Sequence, residues 1–434
     1  MLLIAALLFG LLASFAFLYP GAFNKFLPFY QLRPFHVSSA LFWIITGATA
    51  GIIYYKKEAF NLSEENEKTE SSFIVLWIGT ILAIFLCYAL RLFGGREYWE
   101  FPPVLSIPLL AGWMIFMISY YTQLAKLKQA KPLYIWMWST GIFFFLITFV
   151  EQNLWQIPWF RSSFLKEITV QWKANGAIVG AWNQMIYGTA LYLMVKISNN
   201  KTIAESRKAF SFYFLGLTNL MFNWGHHIYN VPAASWIRDI SYIISMTEWV
   251  IFISIIKDFR WKLEERDRLK HLIPYRFIIA SEFWVFVNLL LALLMSIPAI
   301  NRYTHGTHIT VAHAMGTTIG INTMILLGSL GYMLDVDEQS MRLKRTIKNA
   351  NLLTQVSLGI FWLSLVVAGI LKGYRSVSLN IVDFREMMKP VMIAMTVVSV
   401  SGIGLMVGLG TMAVCYLLIS KKKSIGIELQ HGKS

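Results

Sequence analysis

Residues 301–315 read NRYTHGTHITVAHAM and place His305, His308 and His313 within nine residues at the mouth of a long apolar segment. An α-helix turns about 100° per residue, so residues two apart point about 200° away from each other. His313 and Met315 therefore face opposite sides of one helix, and each can offer a ligand to a different neighbour. One helix could then stand between two metal centres. The blander reading is that membrane interfaces tolerate amphipathic side chains such as histidine.

The segment has many companions. Of the 434 residues 56% are hydrophobic and 14% charged, and the mean hydropathy is +0.56, which excludes an ordinary soluble globular protein. Spanning a bilayer takes about 20 apolar residues, and twelve such stretches are present: 2–19, 38–55, 72–93, 103–124, 133–150, 176–197, 209–228, 235–256, 277–299, 309–334, 352–371 and 390–420. The expected fold is an all-α integral membrane bundle of twelve transmembrane helices in one membrane domain, 1–434. The first stretch lacks a basic leader and a clear small-residue cleavage site, so it reads as a retained helix.

The net charge of +15 resembles a nucleic-acid signal until the basic residues are assigned to loops. The loops after the even-numbered stretches, with the C-terminal tail, carry 25 of the 38 Lys and Arg; the other loops carry 13. This is the positive-inside pattern, so both termini are expected in the cytoplasm. No basic face interleaved with aromatics is present, so nucleic acid is not an expected partner. Cys87 and Cys415 lie inside apolar stretches and form neither a CxxC nor a CxxCH pattern, and read as buried spectators.

Polar groups inside apolar stretches need partners. Asn175, Asn183 and Gln184 belong to the sixth stretch, where interhelical hydrogen bonding and a site role are both open. Glu248, near the middle of the eighth, is expected to face a cavity, a proton path or a partner. Glu282 sits where the basic loop 257–276 can neutralise it. Gly47 and Gly51 form a small-residue face for another helix or a flat porphyrin. His226 and His227 are adjacent; both can reach one metal if the end of their helix distorts. The last stretch is rich in Gly and Ser and suits close packing. With the N-terminus inside, His36, Asn175, His226, His227, His305, His308 and His313 all fall at the outer membrane side, as a shared metal-bearing layer requires.

At this point the sequence resembles a family. Twelve stretches with histidines on the second, seventh and tenth look like the catalytic subunit of the heme-copper oxidase superfamily. THGTHITVAH (304–313), GHHIYNVPAASW (225–236) and SMTEW (245–249) are similar to its nitric-oxide-reductase branch, and LRPFHVSSALFW (32–43) and VGAWNQMIYG (179–188) extend the match. The resemblance implies two b-type haems and a non-haem iron or copper. By it, His313 is the proximal ligand of a high-spin haem and His36 an axial ligand of a low-spin haem. His226 and His227 are ligands of the non-haem metal, and Glu248 is the catalytic carboxylate that handles protons. The sequence departs from the pattern in four places. The third metal histidine falls at Asn175, a weak metal ligand; two glutamates fall at Val179 and Asn183; the second low-spin ligand is Met315, whose thioether can ligate haem iron and raise its potential.

The function so implied is a respiratory oxidoreductase of the nitric oxide reductase or cytochrome c oxidase type. It would lie in a bacterial-type inner (plasma) membrane with its metal sites toward the outside. Electrons would come from cytochrome c or a membrane-anchored c-type cytochrome subunit, and NO or O2 would be reduced. The alternatives are a non-catalytic or sensing haem relative and an NO-dismutase-like variant. A secondary transporter fits the helix count, but no paired repeats are visible.

Overall fold

The computed structural model describes residues 1–23, 25, 27–60, 67–128, 130–245 and 249–431. Among these the chain is helical, and its one β-type pairing is an isolated bridge between Arg96 and Trp99. The long helices are α1 (Leu2–Leu18), α2 (Phe29–Ala59), α3 (Glu67–Ala89), α4 (Ser106–Lys126), α5 (Leu133–Glu151), α6 (Phe164–Ser198) and α7 (Arg207–Phe222). After these come α8 (Ser235–Ser245), α9 (Trp249–Lys262), α10 (Leu272–Ser296), α11 (His308–Met315), α12 (Met324–Met333), α13 (Met341–Val377) and α14 (Val391–His431). Eight helical segments among the described residues are long and apolar enough to cross a membrane; α1 is apolar but shorter. Twelve crossings therefore need more than helix length to support them.

Local chemistry sets the starts. The hydroxyls of Ser163, Ser206, Thr307 and Ser340 each accept a backbone N–H in the first turn of α6, α7, α11 and α13. Several helices overrun the apolar stretches that announce them. α2 begins at Phe29 after Pro28 and carries Pro34 inside, so His36, two residues before the second apolar stretch, already lies on a helix. α6 begins at Phe164, which puts Asn175 well within it.

Lipid cannot drive helices together by the hydrophobic effect, so close packing must. Gly404 and Gly408 of α14 lie against Ser357 and Thr354 of α13, where any Cβ would collide, as the Gly- and Ser-rich composition predicts. Gly47 and Gly51 meet Leu326 on α12 and Thr189 on α6. Their small face therefore meets other helices, the first of the two partners expected for it. Outward, Leu352, Val356, Ile360, Leu363, Val367 and Ile370 form an exposed apolar stripe along α13, the pattern of a lipid-facing helix.

Arg260 and Glu282 pair at 4.0 Å, as the basic loop predicts. Among the described residues Cys87 and Cys415 are free; Cys415 is buried and Cys87 half-buried. The rod from α11 to α12 is interrupted by a π-helical segment, Gly316–Thr323, that starts directly after Met315.

Candidate functional site

His226 and His227 sit on a 3-10 stretch, Asn223–Ile228, that follows α7 directly. The distorted end that would let neighbouring histidines share a ligand is thus present. Their ring centroids are 4.1 Å apart with the planes tilted 39°. His227 stacks on Trp172 of α6 at 4.7 Å and 9°. His226 Nδ1 is 3.1 Å from Asn223 Oδ1, an acceptor, so Nδ1 carries the proton and Nε2 keeps its lone pair.

Two further imidazoles join this pair. His313 lies on the last turn of α11, and His305 follows the short helix Pro298–Thr304. His226 and His227 each stand within electrostatic reach of both. Asn301, buried, donates from Nδ2 to the His226 carbonyl at 3.3 Å and to the Met295 carbonyl at 2.9 Å, clasping the two segments together. Burial holds His305, outside the spans, below the usual imidazole range, so it is neutral at neutral pH.

His36 lies apart from this group, against α1. Its Nδ1 donates to the Ala6 carbonyl at 2.8 Å, which again frees Nε2. Gly10 of α1 leaves just enough room for the ring. On α11, Met315 joins an apolar cluster that includes Phe17 of α1 and Trp362 of α13. Residues His36, His226, His227, His313 and Met315 are each half-buried. His313 Nδ1 is buried with no hydrogen-bond partner. Ring nitrogens left without a partner, one of them buried and orphaned, fit a group that binds through imidazole.

The second metal fits less well. Among the described residues no three His, Cys, Asp or Glu side chains gather closely enough to hold a metal ion. Asn175 is buried on α6, one turn beyond Trp172, and its oxygen already accepts hydrogen bonds from Gln152 and, at 3.5 Å, from Gln171. An oxygen so engaged is a poorer ligand than a free one, while its Nδ2 has no partner. Glu248 lies outside the described residues. Asn183 accepts from Asn322 at 3.2 Å, the interhelical bond expected of an intramembrane amide.

Sequence reasoning missed Trp172, Gln152, Asn301 and Asn288. Asn288, an amide inside the ninth apolar stretch, carried the same signal that singled out Asn175 and Asn183. Nothing local marks Trp172, one aromatic among many, as the platform for His227.

Comparison with known proteins adds four findings. The family pattern described as "Cytochrome C and Quinol oxidase polypeptide I" matches residues 1–403. A nitric oxide reductase subunit from Stutzerimonas stutzeri is 21% identical over 359 residues, 76% of this chain and 72% of that protein. Subunit 1 of a cytochrome c oxidase from Rhodobacter capsulatus is 20% identical over 326 residues, 71% of this chain; the match spans 60% of the oxidase's own length. A solved heme-copper terminal oxidase dimer has the same fold, with a TM-score of 0.73 at 14% identity over 96% of this chain and 81% of its own.

Proposed function

Since the chain belongs to the cytochrome c and quinol oxidase polypeptide I family, an integral-membrane family of respiratory oxidoreductases, we propose that it is a catalytic subunit passing electrons through a low-spin haem to a haem–metal site that reduces NO or O2. The observation that supports this reading is that His226 and His227 stand within electrostatic reach of His305 and His313, which come from two other segments. Bound haem would supply reversible electron storage and an open iron position for a diatomic gas.

His36 and Met315 would hold the low-spin haem, His313 the high-spin haem, and His226 and His227 the non-haem iron or copper, with Asn175 the remaining candidate. The chain prepares those ligands by fixing protons. Ala6 and Asn223 hold the Nδ1–H of His36 and His226, so each ring offers Nε2. Trp172 fixes the plane of His227. Neutral His305 can accept a proton, and Glu248 is the proposed proton relay. Twelve crossings, cytoplasmic termini and an outward-facing site in a bacterial inner membrane complete the proposal; a c-type cytochrome or free cytochrome c would be the donor.

A second reading, a haem protein without turnover, is favoured by one observation: among the described residues no three His, Cys, Asp or Glu side chains come close enough together to hold a metal ion. Haem and metal content of the purified chain, with turnover of NO and O2, separates the two. Two b-type haems, a stoichiometric metal and turnover support the enzyme; one haem and neither of the others support the relative. His313→Ala should abolish CO binding to the reduced protein, and undiminished CO binding would refute that assignment.

A further inference from the structure

The side chain with the most direct hold on the segment bearing His313 and Met315 belongs to α10, which contributes no candidate ligand. Asn288 is fully buried. Its Nδ2 donates to the His313 carbonyl at 3.0 Å and to Thr317 Oγ1 at 2.8 Å, and its Oδ1 accepts from Trp362 Nε1 of α13 at 3.2 Å. Every polar site that faces helix 308–333 from this amide is therefore engaged. Gly316, the first residue of the π segment, lies flat against the amide, and a Cβ there would collide with it.

A π turn replaces i→i+4 bonding by i→i+5 and leaves the ladder wider and less well paired than an α turn. A side chain entering that gap is a recognised cause of a helix irregularity. The far end is pinned as well: Thr323 Oγ1 donates to the Thr318 carbonyl at 2.7 Å and accepts from Trp43 Nε1 of α2 at 3.0 Å. Trp43 is seven residues, two turns, beyond His36 and so shares its face.

We infer that Asn288, braced by Trp362, is a positioning residue that fixes the rotation of His313 and Met315 by holding the π segment open at its start. The inference rests on the reading of those two residues as haem ligands. Relaxation of the segment to an α-helix would turn the ligands relative to α2, because Thr323 stays tied to Trp43. Outer groups that orient a ligating histidine are worth about 10–100-fold in affinity; here the hold runs through the carbonyl, since His313 Nδ1 has no partner.

The test uses the full chain carrying haem. Resonance Raman scattering of the reduced protein reads the iron–histidine stretch, and electron paramagnetic resonance of the oxidised protein reads the low-spin ligand pair. Asn288→Leu should shift and broaden the iron–histidine band and split the low-spin signal at unchanged haem content, and Asn288→Gln should restore both in part. If Asn288→Leu does not fold, Trp362→Phe, which removes only the brace, should move the same band. Haem present with an unmoved band in the variant that folds overturns this inference alone. A wild-type chain that takes up no haem overturns the haem reading and this inference with it.

Discussion

Replacing Gly10 by alanine tests the proposed low-spin haem site without substituting a proposed ligand. A Cβ at this position would stand 2.6 Å from His36 Nδ1 and 2.7 Å from its Cε1. Relaxed contacts need about 3.5 Å, so the ring must retreat by close to an ångström. Retreat breaks the 2.8 Å bond from Nδ1 to the Ala6 carbonyl, worth about 1 kcal/mol, and leaves both groups to find new partners. Overpacking adds about 1–3 kcal/mol, so the combined penalty is about 2–4 kcal/mol. Loss of the bond also frees the imidazole to change tautomer, which removes the lone pair from Nε2. The expected result is a weakened or shifted low-spin α-band, with CO binding at the high-spin haem retained. The assay is the optical difference spectrum of reduced membranes, with thermal unfolding in detergent as a measure of folding. An unchanged low-spin band at an unchanged unfolding temperature would refute the packing of His36 against α1.

Two further predictions concern charged groups away from the site histidines. Lys56, fully buried, pairs with Glu70 at 2.8 Å though without hydrogen-bond alignment. Glu70→Gln strands that cation and should lower stability by about 3–5 kcal/mol; the double change with Lys56→Met should recover most of the loss, and an unfolding temperature equal in all three proteins would contradict the buried pair. Asp337 is pushed up to about 6 by burial, against the opposing pull of the Ile273 N–H, Lys344 and Arg276. Its folded form holds a proton that the unfolded chain, near 3.8, has released. The associated stability is therefore full below about pH 4 and lost as pH rises through about 6. Unfolding midpoints between pH 4 and 7 should show that decline in the wild type and a flatter profile in Asp337→Asn.

Much of this protein was legible in its sequence because hydropathy and charge act locally. Apolar stretches must be helical in lipid, since each backbone polar group needs a partner within its own segment. Histidines are rare enough in such stretches that His36, His226, His227 and His313 stood out without any knowledge of packing. The opposed faces of His313 and Met315 followed from helical periodicity, and both residues do lie on regular helix. Even the distorted end needed by two neighbouring histidines was foreseeable from their adjacency.

What the tertiary structure decided is which side chains hold those residues. The π segment after Met315, the amide of Asn288 against Gly316, the indole of Trp172 beneath His227 and the α1 carbonyl that orients His36 all pair residues from different helices. Periodicity reports a face and not the neighbour across it. The two partners left open for Gly47 and Gly51, a helix or a flat porphyrin, show this, as the same small face suits either; here Leu326 and Thr189 meet it. The family resemblance made Asn175 a weak candidate ligand; in the fold Gln152, just past the end of α5, and Gln171 engage its oxygen.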